Sequence, residues 1–107
     1  MEWRVEVLNE VVRAEITALP EDMQARLVRL IQRIRQLGLE SMREPHVKHL
    51  ENKLWEMRLT GRDGIARALY MTALGRRVII VRVFVKKAQK TPRAEIDLAL
   101  QRAKEII

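Results

Sequence analysis

The 107-residue chain has no cysteine, only four glycines and three prolines, and two tryptophans, one tyrosine and one phenylalanine as its aromatic complement. Without cysteine there can be no disulfide staple, no thiolate nucleophile and no cysteine-based zinc site, and a cytoplasmic setting is expected. No apolar stretch runs longer than that of Val78 to Val81, far below the ~20 residues that span a bilayer, so no membrane partner is expected. Glu2 and Glu6 stand where a secretion signal would carry cations. Scarce aromatics count against a module that reads single-stranded RNA by stacking. His46 and His49 lack a third ligand at metal spacing, and neither a Ser/His/Asp set nor a glycine-rich phosphate loop occurs. No metal and no cofactor are expected.

What is present is a hydrophobic content of 48% and a formal charge of +7, enough apolar surface for one folded domain over 1–107. The charge is unevenly placed. Residues 1–57 hold 9 Lys/Arg and 10 Asp/Glu, whereas residues 58–107 hold 12 and 4. A neutral half joined to a basic half points to an anionic partner, nucleic acid above all, although a solvated basic surface would give the same count.

Trp3, Val5 and Val7 alternate with polar neighbours and predict a short strand. Val11, Val12, Ile16 and Leu19 recur at helical intervals from Asn9 to Leu19, and Pro20 opens a second helix. There Met23, Leu27, Leu30, Ile31, Ile34 and Leu37 form one stripe, Arg26, Arg29 and Arg33 lie on the wet side, and Gly38 stops the helix. Leu39 to Lys53 lacks a sustained period and reads as a loop. Strands are predicted at Leu54–Leu59, Ile65–Ala73 and Arg77–Lys87, with Ile79, Val81, Val83 and Val85 as one apolar face of the last. Thr91 is placed to cap a final helix whose first residue is Pro92 and whose stripe is Ile96, Ala99, Leu100, Ala103 and Ile107. The order β-α-α-β-β-β-α implies an α+β fold, with the helical hairpin and C-terminal helix packed on one side of a mostly antiparallel four-stranded sheet.

The chemistry on offer is cationic. Arg58, Arg67, Arg82, Lys86, Lys87 and Lys90 fall on strand ends and turns, where they can hold an RNA backbone and stabilise the charge that builds on a phosphate during cleavage. Crowded lysines, or His46 or His49 in the preceding loop, can move the proton, although a lone histidine is more often structural.

Together, the run Lys48-His49-Leu50, the strands Leu54-Trp55-Glu56-Met57-Arg58 and Ile65-Ala66-Arg67-Ala68-Leu69-Tyr70, and the segment Phe84-Val85-Lys86-Lys87-Ala88-Gln89-Lys90-Thr91-Pro92 resemble the HigB-like, phage-derived branch of the RelE/ParE toxin superfamily. With Glu95, Ile96, Ala99 and Arg102 beyond them, the resemblance covers nearly the whole chain. It implies a RelE-like fold and a bacterial toxin held by a cognate antitoxin. For the HigB and RelE types it further implies a ribosome-dependent mRNA endoribonuclease that needs no metal. Arg58 and Arg67 match the basic strand positions that hold the scissile phosphate, and Lys86 and Lys87 match the basic pair that stabilises it or moves a proton. His46, Lys48 and His49 match further RNA contacts, and Lys90 is added from its proximity to the pair. Two departures stand out: Glu56 occupies a position where RelE-type relatives often have lysine, and the last helix has no tyrosine. Tyr70 is out of phase with Arg67 and is expected to pack.

Two other function classes fit the same cations. A ParE-like inhibitor would use them to bind DNA gyrase, and a non-catalytic module would use them to bind RNA. The antitoxin is implied by the resemblance alone. It should be acidic or insert an apolar helix, and in HigB-like systems it is often a helix-turn-helix protein, through which alone the toxin would meet operator DNA.

Overall fold

A computed structural model of the chain describes residues 2–86 and 90–106. The elements are β1 (Arg4–Val7), α1 (Glu10–Thr17), α2 (Glu21–Leu37), a 3₁₀ turn (Leu39–Ser41), β2 (Val47–Glu51), β3 (Leu54–Gly61), β4 (Gly64–Ala73), β5 (Arg77–Lys86) and α3 (Arg93–Ala103). They form an α+β fold around one five-stranded mixed sheet of order β1-β5-β4-β3-β2. β3, β4 and β5 pair antiparallel, and β1 runs parallel to β5. Among the described residues no helix is long and apolar enough to cross a membrane.

Three features differ from the sequence expectation. The segment expected to be a loop contains β2, so the sheet has five strands rather than four. Val-Lys-His-Leu-Glu commits only Val47 fully to the core, too weak a pattern to read as a strand. Its extended form comes from β3, whose edge would otherwise leave backbone groups unpaired.

Second, the helices occupy both faces of the sheet. Met23, Leu27, Leu30 and Ile34 of α2, with Val12 of α1, pack on Met57, Ala66, Ala68, Tyr70, Val78 and Ile80. On the reverse face Leu54, Leu69, Ile79 and Val81 pack under Ala99 of α3, flanked by Ile96, Leu100 and Ile106. Each fully buried Leu or Ile contributes about 1.5–3 kcal/mol. Cover on both sides explains why β4 is buried at every position from Ala66 to Tyr70. The expected stripe residue Ile107 lies outside the described residues.

Third, the alternation of β5 breaks. Leu69 pairs with Arg82 but Tyr70 with Ile80, which leaves Val81 as the extra residue of a β-bulge. Val78 and Ile80 face α1 and α2 before the bulge, and Val83 does so after it, whereas Ile79 and Val81 face α3. The expected face of Ile79, Val81, Val83 and Val85 is therefore split between two cores.

Beyond Ile80, β5 has no β1 neighbour, and side chains take over its backbone groups. Arg102 Nη1 donates to the Val81 carbonyl at 3.0 Å, and the Val83 amide donates to Glu15 Oε1 at 3.0 Å. Glu15 also accepts from Arg82 at 2.8 Å and from Arg102 at 2.8 Å, which ties α1, β5 and α3 to one carboxylate. Burial pushes the Glu15 carboxyl up, but the Arg102 hydrogen bond, the Val83 amide and the two guanidinium charges outweigh it and hold the carboxyl below its ordinary value. A depressed folded-state pKa gives stabilisation that is complete at neutral pH and is lost as acid protonates the group. Glu15→Ala should therefore lower stability by about 2 kcal/mol in urea unfolding at neutral pH, since it leaves the largely buried Arg102 without its anion and the Val83 amide without its acceptor, while Arg82 keeps Glu95. The gap between variant and wild type should shrink as pH falls below the ordinary carboxylate range, and a gap unchanged in acid would contradict this role.

At the far end of the sheet the β3–β4 turn is fixed to α2. A Cβ on Gly61 would meet Asp22 Oδ2 at 2.7 Å and Met23 Cγ at 2.8 Å, and the Arg62 amide donates to Asp22 Oδ2 at 2.7 Å. Only glycine allows so close an approach.

Candidate functional site

On the face that carries α3, alternation presents Leu54, Glu56, Arg58 and Thr60 from β3 and Ile65, Arg67 and Leu69 from β4. Pairing sets Arg58 beside Arg67, Arg67 beside Phe84, and Ile65 beside Lys86. The Arg58 amide donates to the His46 carbonyl at 2.8 Å, which extends the β2–β3 ladder by one residue and lines His46 up with Arg58, just as Lys48 is lined up with Glu56. α3 covers the Leu54, Leu69 and Val81 part of this face. Beyond that cover Arg58 is partly exposed and Lys86 is exposed.

The chemical centre of this face is an anion. Glu56 Oε2 accepts from Arg58 Nε at 3.1 Å and from Arg67 Nε at 3.3 Å, and its other oxygen accepts from the Thr91 hydroxyl. Glu56 and Arg67 are both 0% exposed, and with Thr91 they make up the buried polar residues among those described. A buried ion pair is tolerated only when its remaining polar atoms are also bonded, and among the described residues no buried side-chain nitrogen or oxygen lacks a partner. Two guanidinium groups share one carboxylate, so the cluster keeps a net positive charge. It is directed outward through Arg58, whose side chain is 23% exposed.

The site residues named from sequence divide accordingly. Arg58 and Arg67 are brought together, through Glu56. Lys86 is exposed at the end of β5, and its carbonyl accepts from Arg67 Nη1 at 3.5 Å. Lys48 lines a cavity of about 220 Å³ with Glu44, Pro45, Val47 and Arg58, and His46 lines another that Arg58 also borders. Lys90 is exposed beyond the strand, and Lys87 lies outside the described residues. His49 is not part of the row. Its ring meets Trp55 edge-on at 5.0 Å, and its Nε2 donates to the Asn52 carbonyl at 2.6 Å. Arg82 is engaged elsewhere as well, with a two-pronged bond to Glu95 at 2.7 and 3.2 Å, a bond to Glu15 at 2.8 Å, and a position 5.5 Å from the Phe84 ring centre.

Glu56 and Thr91 are the participants that sequence reading missed. The signal for Glu56 was its phase, since a lone acid on the same strand face as Arg58, between core residues, must find cationic partners. Thr91 was expected to cap α3, but Pro92 occupies the cap position without a side-chain bond, and the Thr91 hydroxyl turns to Glu56 instead. Tyr70 packs in the α1/α2 core as expected, and burial pushes its hydroxyl pKa far up. No group of three or more His, Cys, Asp or Glu side chains suited to a metal occurs among the described residues.

Comparison with known proteins agrees with this architecture. No curated protein matches the sequence. Among solved structures, the fold is similar to a chain of the archaeal RelE–RelB complex from Pyrococcus horikoshii OT3. That match has 19% identity and a TM-score of 0.60, and covers 84% of this chain and 100% of the other. The family model described as "Phage derived protein Gp49-like (DUF891)" matches residues 14–104. That span takes in α2, the four strands β2 to β5 and α3, and with them the whole Glu56 cluster. The chain belongs to the phage-derived Gp49-like family.

Proposed function

We propose that this chain is the toxin of a type II toxin–antitoxin pair of the HigB kind, and that it acts as a ribosome-dependent mRNA endoribonuclease. The observation that carries the reading is the gathering of cations from separate strands on one face: Arg58, held by Glu56, with His46 and Lys48 beside it on β2's side and Lys86 two strands away across β4. Family membership and a fold shared with a RelE–RelB chain support it. The same complex supports a cognate antitoxin as partner.

In this reading the RNA supplies its own nucleophile. A 2′-oxygen attacks the adjacent phosphorus, the bond to the 5′-oxygen breaks, and the products are a 2′,3′-cyclic phosphate and a 5′-hydroxyl. The 2′-hydroxyl gives up one proton and the 5′-oxygen takes one. Arg58 meets the extra negative charge on the phosphate as it forms, Lys86 and Lys87 add positive potential, and His46 stands where an imidazole can give or take a proton. Arg67 acts indirectly, because it is buried and fixes Glu56, which in turn fixes Arg58. Such a site gains most when another body aligns its substrate, and alignment can contribute on the order of 7–11 kcal/mol. The ribosome fills that role.

Brief induction in a bacterial host followed by primer extension tests the reading. Discrete cuts inside translated frames are expected, relieved by co-expression of the neighbouring antitoxin. Intact mRNA accompanied by an SOS response would replace the nuclease with a ParE-like gyrase inhibitor.

A further inference from the structure

Arg58 borders two cavities of about 220 Å³, one on the Lys48 side and one lined by Arg26, Pro45, His46, Thr60 and Ile65. The first has Glu44 in its wall, whereas the lining of the second includes no carboxylate. Its walls are of two kinds. Arg26, Arg58, His46 and Thr60 offer donors, while Pro45 and Ile65 offer apolar surface. Arg26 comes from α2, on the opposite side of the sheet edge, and it is brought there by the close approach at Gly61 and the Arg62–Asp22 bond one turn earlier in the helix. Neither Arg26 nor the His46 ring has a side-chain partner among the described residues. A half-buried arginine with no anion, opening into an acid-free cavity, is a ready acceptor of a phosphate.

We infer that this cavity is a second nucleotide subsite, which takes the RNA unit next to the cleaved linkage, with its phosphate on Arg26 and its base or sugar against Pro45 and Ile65. The inference rests on the RNA-cleaving reading above, and it adds a direction to it: the strand leaves Arg58 over the His46 edge of the sheet toward α2. Arg26 is then a binding residue rather than a catalytic one.

The test is binding of the full chain to a 2′-O-methylated oligoribonucleotide of about six units, which cannot be cut, by fluorescence anisotropy over a range of salt. Arg26→Ala should weaken binding about fivefold at low salt and make the plot of log affinity against log salt shallower by about 0.7, the value of one single-strand phosphate contact. Arg35→Ala removes the same charge from the other end of α2, in the groove bordered by Trp3 and Arg76, and should leave both affinity and slope at wild-type values. If Arg26→Ala matches Arg35→Ala while Arg58→Ala still weakens binding, the subsite is overturned and the RNA-cleaving reading stands. If the wild-type chain binds no RNA and cuts none on ribosomes, both fall together.

Discussion

Glu56→Ala is expected to lower the stability of the chain by about 3–5 kcal/mol, because it strips the anion from a fully buried arginine. Arg67 has 0% exposure and cannot recover water when Glu56 goes. The reverse change should be milder. Arg67→Leu leaves Glu56 bonded to Arg58 and Thr91, so its loss should be nearer about 2 kcal/mol. Replacing both, as Glu56→Leu with Arg67→Leu, should recover most of the stability lost in Glu56→Ala, since apolar residues of similar volume often substitute for a buried ion pair at little net loss. Urea unfolding of the three variants measures the series directly. A double variant no more stable than Glu56→Ala would show that the cluster's contribution is not the electrostatic one argued here.

Arg58→Ala should separate function from folding. Its side chain is partly exposed, and Glu56 keeps Arg67 and Thr91 as partners without it, so a stability change of about 1 kcal/mol or less is expected. The cleavage rate should nevertheless fall by about 10²–10³, the usual effect of removing one donor aimed at developing charge. Arg58→Lys should recover only part of that rate, because an ammonium keeps the charge and loses the planar fork that holds Glu56 and a phosphate oxygen together.

Most of the frame was readable from the sequence because it depends on local rules. The helical hairpin followed from apolar spacing in α2 and from Gly38, and the three long strands followed from alternation and from turns at Gly61 to Gly64 and at Gly75. What escaped depends on partners distant in the chain. β2 is a strand only because β3 needs a neighbour, and the bulge at Val81 is visible only in the register against Leu69 and Tyr70. The site shows the same division. The type and phase of Arg58, Arg67 and Lys86 could be read along the chain, but not the strand position of Lys48, the burial of Arg67, the bonds of Arg82 to Glu15 and Glu95, or the turn of His49 to Trp55. Glu56, a mismatch when set against RelE-type relatives, is here the group around which the arginines are arranged. With Arg58 and Arg67 already in place, a third cation at that buried position would have no counter-charge.

The central claim is that Arg58, aimed by Glu56, meets the charge on the phosphate being cut. Single-turnover cleavage of mRNA on purified, programmed ribosomes, with wild type, Arg58→Lys and Arg58→Ala compared at equal occupancy, tests it most directly. The account predicts rates that fall in that order, with Arg58→Ala slower than wild type by at least about 10² while its unfolding curve is nearly unchanged. Cleavage by Arg58→Ala at the wild-type rate would contradict it.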